Sequence, residues 1–340
     1  MLKKNSYFFL VLLVPFLGNA SIYRGIGLHP ESFPDGLDVM FSVINELNFN
    51  SVRLDYSWSK VEKEKNIYAP PGIKTENTIT IAVKNKLVPL IILGYGNELY
   101  VKKGSTNPYM KPNSKESRDA YVNYVSWTAN HLKNKKVIFE VWNEWIQLDG
   151  KENRALALSK SSADSYVELV NQSCKEIKKI DSNSIVIAGS TSPFDSESNE
   201  WLYYAVKKGL LNCIDGISIH AYHYNTDKKI LNTKEVLATL LFLERKLSDL
   251  SHKSEVPFYI TEIGVPTIDG TMYNERDISI YYATLLNSIE SYGFIKGLWW
   301  YDLIDDGNND KDIEDNFGIL KHDLEKKEIF NFMAEKKGKL

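Results

Sequence analysis

Cysteine is scarce. The 340 residues include only Cys174 and Cys213, and no Cys/His spacing suited to zinc exists. An excess of one charge is missing too. The formal net charge is -3 with a sequence pI near 6.1, so the strongly basic face of a nucleic-acid binder is excluded. Long apolar runs are missing beyond the first residues, which excludes an internal membrane span. No repeat, low-complexity tract or linker interrupts the chain, so no second domain is expected.

The one sustained apolar run lies at residues 7–17. Lys3 and Lys4 precede it, and Gly18-Asn19-Ala20 follows before Ser21. A basic start, a short apolar stretch and small residues form the pattern of an export signal. Cleavage after Ala20 is expected. Residues 1–20 are then a signal peptide, and residues 21–340 a periplasmic or secreted catalytic domain without a membrane span. Cys174 falls on an expected helix and Cys213 just before an expected strand. An oxidising compartment permits a bridge between them; the sequence does not decide whether they meet, and two buried free thiols are the expectation.

Aromatic residues are abundant, with seven Trp and twenty Tyr. Most serve a core; exposed ones suit stacking on sugars. Eight strand-like runs, most of them apolar, cover 23–29, 51–58, 87–96, 137–144, 184–191, 214–223, 257–264 and 297–303. Continuous apolar runs mark strands covered on both faces, as in parallel sheets. Helical patterns alternate with them at 37–47, 77–86, 118–132, 165–180, 201–208, 233–250, 275–292 and 326–336. Asp35 is a candidate cap for the first. Eight such alternations predict a single (β/α)8 TIM barrel. The loops after the strands are long at 97–117, 145–164, 192–200, 224–232 and 302–322. They fall at the C-terminal face of the barrel, where active sites of this fold sit.

Two of the strand ends carry glutamate, Glu144 and Glu262. In a barrel these ends face one another across the mouth. Paired carboxylates about 5 Å apart perform retaining glycosyl transfer. Two glutamates that merely cap the following helices fit the same pattern. Period-2 alternation places Glu140 on the face of Glu144 and Asp55 on that of Arg53, which gives Arg53 two carboxylates as alternative partners. His220 reads as a pocket residue, with a satisfied core histidine as the alternative. The glycine of the acidic stretch 305–312 is third rather than sixth, which fails the EF-hand pattern. No cofactor or metal is expected.

The strand-end residues together resemble the clan A glycoside hydrolases. Trp142-Asn143-Glu144 resembles their strand-four acid/base motif, and Thr261-Glu262-Ile263-Gly264 their strand-seven nucleophile motif. Val52-Arg53-Leu54, His220-Ala221-Tyr222 and Trp299-Trp300-Tyr301-Asp302 are similar to their strand-two, strand-six and strand-eight signatures. Within the clan the chain is most like family 39, through the stretches 93–100, 300–307 and 316–318, with family 5 as near rival. It departs from the pattern in two ways. Trp145 stands where proline is common, and the accessory β-sandwich of many family 39 enzymes is missing.

The resemblance implies roles. Glu144 would be the acid/base and Glu262 the nucleophile. Arg53 and Tyr222 would support Glu262, and His220 would line the pocket. Asn143 would hold the sugar 2-hydroxyl. Trp300 would form the floor of the sugar site as the inward member of the Trp299-Trp300 pair. Tyr95 and Asn97 would reach the sugar from strand three, and His223 and Tyr224 from the rim. The expected partner is a polysaccharide or oligosaccharide, cut internally, with a bacterial surface polymer as the expected class. A plant glycan attacked by a family 5-like endo-β-glycanase, or a non-catalytic carbohydrate-binding barrel, are the alternatives. A monomer is the default.

Overall fold

The computed structural model describes residues 22–101, 111–146, 154–222, 232–268, 274–309 and 311–336. The expected signal peptide, His223 and Tyr224 lie outside them. In chain order the elements are β1 (Tyr23–Gly27), α1 (Leu37–Glu46), β2 (Ser51–Asp55), α2 (Trp58–Val61), α3 (Ile73–Lys84) and β3 (Val88–Leu93). Then come α4 (Lys115–His131), β4 (Ile138–Val141), α5 (Arg154–Ala157), α6 (Lys160–Ile180), β5 (Ile185–Thr191) and α7 (Ser196–Lys207). The chain ends with β6 (Gly216–His220), α8 (Thr233–Ser251), β7 (Phe258–Ile263), α9 (Glu275–Ile289), β8 (Ile295–Trp300) and α10 (Glu328–Lys336). The strands pair in sequence order, all parallel, and β8 returns to β1 to close the barrel. The expected eight-stranded barrel is therefore present. The expectation omitted the two short helices, α2 and α5.

Alternation along the strands divides the core in two. Side chains pointing outwards meet the helices in one continuous apolar layer. On α6, Tyr166, Val167, Val170, Cys174 and Ile177 follow the helical period and are buried. Inside the barrel, Leu90, Ile92, Ile138, Ile187, Tyr259 and Trp299 form a separate plug. It seals the lower lumen and leaves the upper strand ends free for polar groups. Side chains cap several helices at the upper face. Ser114 and Ser117 form a reciprocal capping box on α4, while Ser159, Asp195, Asn232 and Asn274 accept from the first turns of α6, α7, α8 and α9. Asp35 is not the cap of α1: Gly36 holds that position, and Asp35 accepts only from the Gly36 amide at 2.7 Å.

Two expectations are corrected. Trp299, not Trp300, faces inwards. Its indole Nε1 donates to Ser51 Oγ at 2.9 Å, and a Cβ on Gly25 would overlap the ring. Trp300 is on the opposite phase of β8 and packs edge-on to Tyr282 of α9, so it cannot form a pocket floor. Cys174 and Cys213 are also joined in a disulfide, with Cα atoms 6.0 Å apart. The bridge ties α6 to the turn before β6. The 39-residue separation in sequence hides this proximity, because β5 and α7 fold back between the two. No helix among the described residues is long and apolar enough to cross a membrane.

Candidate active site

The end of β4 turns sharply. Trp142 (φ 63°) and Glu144 (φ 50°) adopt left-handed backbone, which non-glycine residues reach only when the surroundings hold them there. The hold comes from rings: the buried Trp142 indole packs among Tyr95, Tyr121 and Trp145. The turn directs Asn143 and Glu144 into the barrel mouth.

Arg53, on β2, is the centre of the site and only 4% exposed. Its Nε donates to Glu140 Oε2 at 2.9 Å, Nη1 to Glu262 Oε1 at 2.5 Å and Nη2 to Asn143 Oδ1 at 2.8 Å. Both carboxylates suggested by alternation thus matter, though differently. Glu140 is a direct partner, whereas Asp55 acts on Arg53 only through its charge. Glu140 also accepts from Ser190 Oγ at 2.8 Å and Thr261 Oγ1 at 3.0 Å. A fully buried carboxylate is tolerated only with such complete pairing.

Glu262 ends β7. Tyr222 OH donates to its Oε2 at 2.9 Å, and His220 Nδ1 lies 3.4 Å from the same oxygen. His220 Nδ1 lies closer, at 2.8 Å, to Glu144 Oε1. Oxygens of Glu144 and Glu262 and a nitrogen of His220 all fall within 4.8 Å of one another. Asn143 Nδ2 donates to Tyr95 OH at 2.8 Å.

Electrostatics separate the two glutamates. Burial alone would push the Glu262 carboxyl up. The His220 charge, the Arg53 charge and hydrogen bonds from Tyr222 and Arg53 outweigh it and hold the group below the ordinary carboxylate range. Burial likewise would lower the His220 imidazole, but the Glu262 and Glu144 carboxylates outweigh it and raise the group. Arg53, between two carboxylates, is raised despite its burial. Glu262 is thus kept ionised, and Glu144, with its side chain 29% exposed, stands at the edge of the cavity.

The cavity holds about 500 Å³, within the range of small-molecule sites. Of the nine expected residues that the structure describes, seven line it: Arg53, Tyr95, Asn143, Glu144, His220, Tyr222 and Glu262. Trp300 and Asn97 do not. Asn97 is 1% exposed; its Nδ2 donates to the Glu62 carbonyl at 2.7 Å and its Oδ1 accepts from the Leu99 amide at 3.0 Å. It caps the short 3-10 turn Glu98–Tyr100 and has no reach towards a sugar.

A further polar corner escaped the sequence reading. His29 follows β1, Asp55 ends β2, Tyr301 follows β8, and Glu314 lies on the 3-10 turn Glu314–Asn316; all four line the cavity. Behind them the buried Asp302 has its Oδ2 3.4 Å from His29 Nε2. Burial, followed by the charges of Asp306 and Asp305, pushes the Asp302 carboxyl well up, and burial raises Asp55 too. A usable signal was Tyr301, which continues the inward phase set by Gly297 and Trp299. His29 and Glu314 sit past the strand ends, where alternation stops.

A closed parallel barrel with an asparagine-glutamate pair just past its fourth strand and a second glutamate on its seventh defines the class of the clan A glycoside hydrolases. The chain matches the family Cellulase (glycosyl hydrolase family 5) over residues 20–302, and it belongs to that family. No curated protein matches it. A family 39 glycoside hydrolase from the gut symbiont Bacteroides cellulosilyticus WH2 is similar in structure, with a TM-score of 0.72 and 23% identity. That likeness covers 92% of this chain but 62% of the other, so the chain spans less than two thirds of that enzyme. Xylanase 10B from Thermotoga maritima (TM-score 0.64, 15% identity, 93% and 95% covered) is similar as well. So is a GH10 endoxylanase from a sugarcane soil metagenome (TM-score 0.66, 12% identity, 93% and 97% covered). At these identities the likeness shows the shared barrel. Both families weighed from the sequence are thus represented, family 5 by the family model and family 39 by fold.

Proposed function

We propose that this glycoside hydrolase cuts inside a polysaccharide with retention of anomeric configuration, using Glu144 as acid/base and Glu262 as nucleophile. The observation that carries the reading is the carboxylate pair. Oxygens of the two groups lie within 4.8 Å, and one of the groups is held ionised. Retaining enzymes need carboxyls about 5–5.5 Å apart, because inverting ones leave room for a water.

In the first half-reaction Glu262 attacks the anomeric carbon as the glycosidic C–O bond breaks, and Glu144 gives its proton to the departing oxygen. A glycosyl–Glu262 ester results. In the second, Glu144 takes a proton from water, the water oxygen bonds to the anomeric carbon, and Glu262 leaves as carboxylate. Tyr222 and Arg53 hold the attacking oxygens. Asn143, fixed by Arg53 and Tyr95, presents its amide to the 2-hydroxyl.

Long loops at the barrel mouth support internal cleavage. The export pattern of residues 1–20 and the Cys174–Cys213 bridge support an oxidising, extracytoplasmic location and hence a surface or extracellular polymer. The cellulase family model supports a second reading of the substrate as a plant β-glycan. The test is to incubate residues 21–340 with bacterial and plant polysaccharides and to read product sizes by mass spectrometry. Proton NMR then follows the first-formed anomer. Internal cuts with a retained anomer are expected. An inverted first product would remove Glu262 from the nucleophile role.

A further inference from the structure

We infer that a trench on the outer flank of the barrel, between α5–α6 and α7, binds the leaving-group end of the glycan several units from the cut. This rests on the hydrolase reading above. The trench holds about 830 Å³ and is lined by Arg154, Lys160, Glu200, Trp201, Tyr203 and Tyr204, among others.

Its continuity with the catalytic cavity runs through one residue. Arg154 lines both spaces. Its Nη2 donates to Asp195 Oδ2 at 2.5 Å and its Nε to Glu197 Oε2 at 2.7 Å. Asp195 lines the catalytic cavity and Glu197 the trench. The guanidinium is thus the sill between them, not a wall: its side chain is 47% exposed.

Placement sets the polarity of the bound chain. The trench is built from the elements after β4 and β5. Glu144, which protonates the departing oxygen, sits at the end of β4. The opposite side of the cavity, after β1, β2 and β8, carries His29, Asp55 and Tyr301. The departing part of the glycan therefore leaves towards the trench, and the retained sugar occupies the His29 side.

The lining fits a carbohydrate. Tyr204, half-buried, offers a ring for the C–H face of a sugar, while the buried Trp201 and Tyr203 back it from within the trench wall. The buried Trp201 Nε1 has no hydrogen-bond partner. Lys160 of α6 and Lys207, Glu197 and Glu200 of α7 all line the trench, so both signs are present and neither dominates. Such a surface suits the hydroxyls of a neutral chain rather than a polyanion. Tyr204 is the most open of the three rings. Its hydroxyl donates to Asp164, 3.3 Å away, and the ammonium groups of Lys160 and Lys208 stand 5.6 Å and 5.4 Å from its centroid.

The test compares Tyr204→Ala, Tyr204→Phe and the unchanged enzyme. Short probes are 4-nitrophenyl β-cellobioside and β-xylobioside, whose leaving group ends in the catalytic cavity. Long probes are cellohexaose and xylohexaose, with cut positions read by mass spectrometry in ¹⁸O-water. The unchanged enzyme should gain kcat/KM with chain length. Tyr204→Ala should lose about tenfold on the hexasaccharide through KM, as expected for one lost ring contact. Its kcat and its rate on the nitrophenyl probe should be kept, and Tyr204→Phe should restore the long-chain rate. A Tyr204→Ala enzyme with the full chain-length gain, or one equally impaired on both probes, overturns the inference and leaves the hydrolase reading standing. An unchanged enzyme that cleaves the nitrophenyl probes without any chain-length gain does the same. If it cleaves neither these probes nor any polysaccharide, the hydrolase reading fails and takes the trench with it.

Discussion

Arg53→Met is the most informative single change to the site. The methionine keeps the aliphatic stem but removes three hydrogen bonds and the only guanidinium between Glu140 and Glu262. Glu140 is 0% exposed and Glu262 8%. Removing one partner of such a buried pair costs about 3–5 kcal/mol, because the other charge is left unsatisfied. The chemical effect has a definite sign. In the folded protein the Glu262 carboxyl lies below its ordinary range, and it must be ionised to attack. Activity therefore falls on the acid side only as pH drops through that lowered value. An opposite charge at this distance lowers a carboxyl, so its removal should move the acid limb of kcat/KM to higher pH. The lowered Glu262 also contributes stability above its unfolded pKa that disappears as pH falls through the folded value. Less of that remains in the mutant. Arg53→Lys separates charge from geometry: it keeps the charge but cannot serve all three acceptors. The assay is a pH profile of kcat/KM on a fluorogenic glycoside, with urea melts at each pH. If Arg53→Met kept the acid limb of the unchanged enzyme, Arg53 would not be what ionises Glu262.

Four further outcomes are expected. Glu262→Gln should abolish turnover while the melting curve stays cooperative; residual rates near those of the unchanged enzyme would contradict the nucleophile role. Glu144→Gln should slow substrates with poor leaving groups most, and azide should restore the rate on activated ones with an azide adduct visible by mass spectrometry. Reducing Cys174–Cys213, or replacing both with serine, removes a cross-link over 39 residues. Chain entropy sets that loss at about 4 kcal/mol, or about 6 °C in Tm for a domain of this length, and calorimetry with and without reductant measures it. Lys327→Met leaves Asp305 buried without its 2.6 Å partner, so a loss of about 3–5 kcal/mol in urea melts is expected; an unchanged midpoint would show that Asp305 is neutral in the fold.

The barrel was legible because parallel strands covered on both faces must be apolar, and runs such as Val88–Leu93 and Phe258–Ile263 are. Glu144 and Glu262 were legible because a charge at the end of such a run needs a reason. What stayed hidden depended on phase or on distance along the chain. Trp299 and Trp300 are adjacent, and alternation says only that they differ. The overlap of Gly25 with the Trp299 ring, which decides the phase, joins β1 to β8. Asn97 reads as a sugar ligand by position, but its amide is spent on Glu62, 35 residues earlier. His29 and Glu314 belong to turns, where no period marks which side chain points inwards.

The Arg53–Glu140 contact has a consequence for the barrel as two halves. Strands β1–β4 contain both members of that pair, and the turn after β4 carries Asn143 and Glu144. Strands β5–β8 contain Glu262 and the hydroxyls of Ser190 and Thr261, but no arginine among their inward-facing residues here. The first half keeps Arg53 paired with Glu140; the second carries Glu262 with His220 and Tyr222 but without the guanidinium that completes its surroundings. A gene split in the loop between β4 and β5 would thus give two unequal pieces. Reassembly would bring Glu262 to that guanidinium, and Glu262 would meet Glu144 only once the pieces had joined. Complementation of the fragments would switch on chemistry and folding together.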